Sequence, residues 1–180
     1  MSSRTMIRLA AIAALAFPVA ACTQDAPPAP TQPDVPDLRR EQISQDVARK
    51  LEALRESHMA YQSFDAAKSA GYDIEVTPCM VMRPQGGMGY HYGKGTLIDG
   101  TPDETAPEVL LYEPVKGGGK RLVGVEFIVP FDQWQGSEPP VLFGRQMSAN
   151  QTFKVWALHA WLFKKNPKGV FTDWNPTVNC

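Results

Sequence analysis

The 180-residue chain lacks most of the short patterns by which common catalytic sites are recognised. It contains three cysteines and three histidines, and it has no HExxH, CxxC, GxSxG, GxxxxGK or GxGxxG pattern. Those patterns place zinc ligands, redox thiols, a serine nucleophile or the phosphates of a nucleotide. Their absence argues against zinc proteases, thioredoxin-like enzymes, serine hydrolases and nucleotide-dependent enzymes of the corresponding types.

An excess of positive charge is also absent. The chain has 18 Lys and Arg against 19 Asp and Glu, with no long basic run. Binding to nucleic acid depends largely on Lys and Arg that neutralise phosphates. Nucleic acid is therefore not expected as a partner.

The first 21 residues resemble a bacterial lipoprotein signal peptide. Arg4 and Arg8 form a positive start, and residues 9–19 are an apolar segment too short for a membrane-spanning helix. The sequence Val19-Ala20-Ala21-Cys22 resembles the lipobox, which predicts cleavage before Cys22 and lipid attachment to its side chain. The alternative is an ordinary secretory signal in which Cys22 has no special role.

The predicted lipid anchor implies a location in the bacterial cell envelope. Several acyl chains on one cysteine attach a protein to a membrane stably, whereas a single chain does not. By resemblance to Gram-negative sorting, Thr23 in place of an aspartate favours the outer membrane, facing the periplasm. Cleavage removes two basic residues and no acidic one, so 159 residues with a net charge of −3 remain.

Residues 22–37 form a proline-rich segment that separates the anchor from the rest of the chain. Val35 is its single large apolar residue, and its five prolines predict a stiff, extended tether. Residues 38–180 are expected to form a single domain, because they are numerous enough to bury a core.

The pattern within residues 38–180 predicts helices followed by strands. Apolar residues at spacings of three and four over residues 47–61 predict an amphipathic helix, with Asp34 or Asp37 as its cap. Further on, residues 116–120 are a glycine-rich turn between two strand-like segments. Residues 153–163 are rich in aromatics, which favours a strand over a buried helix. We expect an α+β fold, with N-terminal helices packed on a mainly antiparallel, curved, barrel-like sheet.

Two cysteines remain once Cys22 carries lipid. Cys79 and Cys180 form an even pair in an oxidising compartment, so we expect a disulfide that fixes the C-terminus to the start of the sheet. The alternative is that the Cys79 thiolate is a metal ligand.

Four segments follow one another in a distinctive order along the second half of the chain. They are GGMGYHY at residues 86–92, YEP at 112–114, VGVEF at 123–127, and LHAWLF at 158–163. The last segment is followed by NP at 166–167, Gly169, Phe171 and WNP at 174–176. They resemble a family of uncharacterised secreted bacterial proteins with GxMGxHY, YEP, VGVEY and LHxWLW…NPxGxFxxWNP motifs. The resemblance covers roughly residues 60–180, and Phe127 and Gly93-Lys94 depart from its usual residues. It implies that four polar residues are positions of interest: His91, Glu113, Glu126 and His159.

These four residues lie in otherwise apolar strand sequences, where an unpaired charge is costly and needs a partner. Two imidazoles with one or two carboxylates can bind a divalent metal ion. They can also act as an acid–base pair with shifted pKa values. The alternative is a structural His–Glu hydrogen-bond network. Whether Glu113 and Glu126 share a face depends on the hairpin register, which the sequence leaves open.

A second set of residues overlaps the first. Met80, Met82, Met88 and His91 supply thioethers and an imidazole, a combination that suits Cu(I) in an oxidising compartment. The alternative is that these methionines fill irregular gaps in the core.

Three functions are compatible with the sequence. The first, which we prefer because no activated nucleophile is recognisable, is a lipid-anchored protein that binds a small ligand or metal ion at the His/Glu positions. The second is an enzyme that uses the same residues as acid–base groups or metal ligands. The third is a scaffold that docks a partner through exposed aromatics such as Trp134 and Trp174.

The lipobox assignment predicts the behaviour of a Cys22→Ser variant. Because serine cannot take the lipid, the variant is expected to remain uncleaved or to become soluble, whereas the wild-type protein is expected to partition into detergent. Phase separation followed by mass analysis of the N-terminal peptide measures both properties. A variant that fractionates like the wild type would show that Cys22 is not the anchor.

Overall fold

The computed structural model describes residues 35–180. The signal peptide, Cys22 and most of the tether therefore lie outside the described residues, as does Asp34. Within the described part, no helix combines the length and apolar character needed to cross a membrane. The helical segments are α1 (Gln45–Ser57), a 3-10 turn (Met59–Gln62) and α2 (Phe64–Ser69).

Serine residues, not the predicted aspartates, cap the two α-helices. The Ser44 hydroxyl accepts a hydrogen bond from the backbone N–H of Val47 at 3.2 Å, which satisfies one free donor at the start of α1. Ser63 caps α2 in the same way. The expectation that Asp37 caps the first helix is wrong, because its carboxylate accepts from the Arg39 N–H in a turn before α1.

The strands are β1 (Ile74–Met82), β2 (Gly86–Gly93), β3 (Val109–Val115), β4 (Gly119–Pro130), β5 (Val141–Leu142), β6 (Arg145–Gln146), β7 (Ser148–Asn150) and β8 (Val155–Ala160). Six of them form one antiparallel sheet in the order β1-β2-β3-β4-β8-β7. The sheet curls into a half-barrel with the helices packed against it, so the predicted α+β fold with a curved sheet is confirmed. The glycine-rich hairpin and the strand near residue 158 are present, whereas the short β5, β6 and β7 were not predicted.

Each face of the sheet buries its own apolar cluster. The face that packs on the helices, which we call the helix face, includes Tyr112 and Phe127 and contacts Leu51 of α1. The opposite face, which we call the site face, includes Val109 and Trp161. Alternation along β4 places Glu126 on the site face, since its neighbours on both sides belong to the helix face.

The C-terminal segment after β8 crosses the sheet and returns to its first strands. Gly87 and Asn175 exchange two backbone hydrogen bonds of 3.0 Å. Cys79 of β1 and Cys180 form the expected disulfide, with their Cα atoms 5.6 Å apart. The alternative interpretation of Cys79 as a metal ligand is therefore wrong, and the segment that ends at Cys180 is held on the sheet at two points.

The disulfide is expected to contribute substantially to stability. It closes a loop across 101 positions, for which the chain-entropy model gives about 4–5 kcal/mol. Cys180→Ser should lower the free energy of unfolding by that order, as measured by urea denaturation. Mass analysis of the unreduced wild-type digest should find the Cys79 and Cys180 peptides joined, and two separate thiol peptides would contradict the pairing.

Candidate functional site

Three strands bring two histidines and a glutamate together on the site face. His91 lies in β2, Glu126 in β4 and His159 in β8, and Glu126 and His159 are direct cross-strand partners. One ligand atom from each lies within 4.8 Å of the other two. The His91 and His159 Nε2 atoms are 3.7 and 3.6 Å from the Glu126 carboxylate oxygens. All three side chains are at most 10% exposed.

A glycine in β2 makes the position of His91 possible. Gly89 has a φ of +84°, and a Cβ on it would lie 2.3 Å from the backbone oxygen of Tyr112. The pairing of β1 with β2 shifts register beside it. Met88 and His91 are an odd number of residues apart and would face opposite sides of a regular strand, yet both line the same cavity.

Each histidine has a polar side chain behind it. The Nδ1 atom of His91 lies 2.7 Å from the hydroxyl of Thr77, at hydrogen-bond distance. The Nδ1 atom of His159 lies 3.4 Å from a carboxylate oxygen of Asp173. Neither ring nitrogen of His159 forms a hydrogen bond within the described residues, because its distances to Asp173 and Glu126 exceed good hydrogen-bond lengths. Its ring stacks on Trp161, with the planes 12° apart.

The two histidines differ in their affinity for a proton. Burial lowers the pKa of His91 and outweighs the raising effect of Glu126, and His159 adds a smaller lowering. Burial also lowers the pKa of His159, but Glu126 and Asp173 together raise it above its ordinary value. His159 in turn holds the pKa of Asp173 below its usual range. The site therefore contains one imidazole that favours the neutral form and one that favours the protonated form.

The cluster forms part of the wall of a cavity of about 570 Å³. This volume lies within the range of ligand-binding sites, about 300–1,000 Å³. Ten of the lining residues are apolar and six are polar. They are Val76, Met80, Met82, Met88, Ile98, Val109, Ile128, Phe153, Val155 and Trp174, with Thr77, His91, Glu126, Asn150, Thr152 and His159.

Glu113, the fourth residue named from the sequence, does not join this cluster. It pairs with Arg121 near the turn of the hairpin, whereas Glu126 pairs with Val109. Four residues along β3 separate the two positions, or about 13 Å. The Glu113 carboxylate instead accepts hydrogen bonds from Arg121 and from Lys164, the latter at 2.8 and 3.0 Å. Its inclusion among the ligands is corrected, because two cations already satisfy its charge.

The remaining sequence candidates divide between the cavity and the core. Met80, Met82 and Met88 all line the cavity with His91. Trp174, expected as an exposed docking residue, is half-buried and lines the same cavity. Trp134 is half-buried against the helix-face core, and its indole N–H donates to the Glu138 carbonyl at 2.8 Å. The expected exposed aromatic pair is therefore not present.

Sequence reasoning missed three residues around the cluster. Thr77 of β1 is the cross-strand partner of His91 in β2. Alternation within β1 gave only a weak indication that Thr77 faces the site. Asp173 reaches His159 from an irregular segment, for which no periodicity exists. Glu108 immediately precedes β3 and accepts a hydrogen bond from the Ile128 N–H at 2.9 Å. Its burial was not foreseen, because it stands at the edge of a predicted strand.

Comparison with protein-family models, with curated proteins and with solved structures finds no match to this chain.

Glu108 gives the protein a predictable dependence of stability on pH. Burial, with smaller effects of Asp99 and Glu126, raises the pKa of Glu108 from 4.5 to about 8. The folded state therefore binds more protons than the unfolded state between these values, so the contribution of Glu108 to stability falls as pH rises through that window. Full loss is on the order of 5 kcal/mol.

The Glu108→Gln variant isolates this effect because glutamine keeps an oxygen for the Ile128 N–H and cannot ionise. The difference in unfolding free energy between variant and wild type, measured by urea denaturation at several pH values, should increase in favour of the variant from pH 5 to pH 8. A difference that stays constant across that range would show that Glu108 is ionised in the folded protein.

Proposed function

We propose that the protein binds a divalent transition-metal ion through the Nε2 atoms of His91 and His159 and the carboxylate of Glu126. The observation that supports this most strongly is the convergence of three buried ligand groups on the wall of a cavity. Two imidazoles and a carboxylate form a set that suits zinc or iron(II) and leaves coordination positions free. The hard cations Ca²⁺ and Mg²⁺ prefer all-oxygen sites.

The distances favour a metal site over a purely structural hydrogen-bond network. Atoms bound to one ion at about 2.1 Å with tetrahedral angles are about 3.4 Å apart. The two His–Glu separations, 3.7 and 3.6 Å, are close to that value and too long for good hydrogen bonds. A structural network would satisfy a buried imidazole, whereas both nitrogens of His159 lack a hydrogen bond within the described part of the chain.

The groups behind the histidines support the same proposal. Metal-bound histidines usually bond their second ring nitrogen to a carboxylate, a carbonyl or another acceptor, which fixes the ring and its tautomer. Thr77 lies at hydrogen-bond distance behind His91. The Asp173 carboxylate lies 3.4 Å behind His159, where it can orient the ring by its charge although no hydrogen bond forms. Both arrangements direct Nε2 toward Glu126.

Copper is a second candidate metal. Met80, Met82 and Met88 line the cavity into which His91 projects, and thioether ligands favour Cu(I) over zinc or iron(II). Met82 is largely exposed, so Met80 and Met88 are the thioethers that would supply a copper site. Met88→Leu keeps the side-chain volume and removes the sulfur.

We place this function in the bacterial envelope, on the basis of the lipobox-like sequence that ends at Cys22. A lipid anchor there, followed by the proline-rich tether, would hold residues 38–180 beside the membrane. The half-buried positions of Trp134 and Trp174 support ligand binding over docking of a partner through these aromatics.

The proposal predicts that protein purified from cell envelopes contains about one equivalent of metal by elemental analysis. His91→Ala, His159→Ala and Glu126→Gln should each lower the affinity for that metal by more than about 100-fold. This estimate follows because loss of an outer partner alone costs about 10–100-fold. Thr77→Val, which removes only such a partner, should fall within the smaller range. Titration calorimetry of the metal-free protein measures these affinities.

The third histidine supplies a matched control. His58 is buried outside the cavity, with its Nδ1 atom 3.0 Å from the Leu54 carbonyl oxygen, so His58→Ala should leave metal affinity unchanged.

Loss of Cu(I) binding in Met88→Leu, with zinc binding retained, would identify copper. Equal metal content in the wild type and all three ligand variants would refute the site.

A further inference from the structure

We propose that the cavity binds a small organic molecule with an apolar body and one anionic group that coordinates the metal ion. This inference rests on the metal site proposed above and adds the chemical class of its ligand. The organic molecule would occupy the part of the cavity that lies beyond the three ligand residues.

The size of the cavity exceeds what a metal ion and its remaining waters require. Its volume of about 570 Å³ equals that of roughly nineteen water molecules at about 30 Å³ each. A site dedicated to an ion alone needs room for only a few. The remaining volume fits an organic molecule of ordinary ligand size.

The walls of this volume are mainly apolar. Val76, Ile98, Ile128, Phe153 and Trp174 surround the polar cluster with aliphatic and aromatic carbon. A ligand gains binding free energy from such walls by removing its own apolar surface from water. Sugars and other polyhydroxylated molecules would leave most of their hydroxyl groups without partners there, because Thr77, Asn150 and Thr152 offer few polar atoms.

The mouth of the cavity is apolar as well. Val76 is 37% exposed, Met82 is 46% exposed and Phe153 is 47% exposed, although all three line the cavity. Clustered exposed apolar side chains commonly mark a site of interaction. An apolar ligand that extends from the metal toward solvent would cover these side chains.

The charges of the lining residues determine the position of the anionic group. No lysine or arginine is among the residues of the described range 35–180 that line the cavity, so within that range the proposed metal ion would be its only permanent cation. A divalent ion with the single carboxylate of Glu126 has one net positive charge within its own ligand set, and the Asp173 carboxylate lies behind His159, outside the cavity lining. An anionic ligand group therefore has one favourable position, at the open coordination sites, with its apolar part directed along the walls.

Two straight-chain carboxylates test this inference on the zinc-loaded protein. Butanoate and octanoate share the same anionic group and differ by four methylenes, each of which strengthens binding about fourfold when it is fully buried. Octanoate should therefore bind at least about 30-fold more tightly than butanoate, as measured by titration calorimetry. Metal-free protein should bind octanoate at least tenfold more weakly than zinc-loaded protein does.

A pair of surface variants assigns the preference to this cavity. Phe153→Ser removes an apolar side chain at the mouth and should reduce the octanoate-to-butanoate ratio at least threefold. Val141→Ser removes an exposed apolar side chain outside the cavity and should leave the ratio unchanged. Both variants should bind zinc like the wild type, since neither residue is a ligand.

The outcomes separate this inference from the function on which it rests. Zinc binding with equal affinity for the two carboxylates would overturn the apolar-ligand inference and leave the metal site intact. Equal octanoate binding with and without zinc would overturn the anchoring of the ligand by the metal. A protein that binds no metal would overturn both proposals.

Discussion

The burial of Glu126 between two imidazoles is the constraint on which the site depends. Removing a carboxylate from water is costly unless positive or hydrogen-bonding partners replace the water. The cross-strand register places His159 directly beside it, and His91 approaches from β2 on the other side. The negative charge of Glu126 can hold the two imidazoles in place only when a proton or a metal ion balances it.

The C-terminal segment completes this arrangement. It has no regular secondary structure, yet backbone bonds to Gly87 and the disulfide to Cys79 hold it on the sheet. It carries Asp173 to His159 and Trp174 to the cavity wall. The elements that stabilise the segment thus also position two residues of the site, so reduction of the disulfide would affect both stability and ligand geometry.

The sequence predicted much of the fold because its patterns are local. Alternating apolar residues and the glycine-rich turn define the β3–β4 hairpin, and the aromatic content of residues 153–163 identifies β8. Period-2 alternation also places His159 on one face with Trp161. Alternation fails at a bulge in β4, where Leu111 and Tyr112 of β3 pair with Gly124 and Leu122 and leave Val123 unpaired. Val123 therefore packs on the site face, although alternation alone groups it with Val125 on the helix face.

The sequence by itself determined the class of fold, the pairing of two cysteines and the chemical types available for a site. Only the tertiary structure decided that Glu126 joins the histidines and that Glu113 pairs with Lys164. Both glutamates lie in apolar strands, and their local sequences give no reason to treat them differently. They differ because strand register and a returning chain segment supply their neighbours, and these contacts span separations that no local pattern encodes.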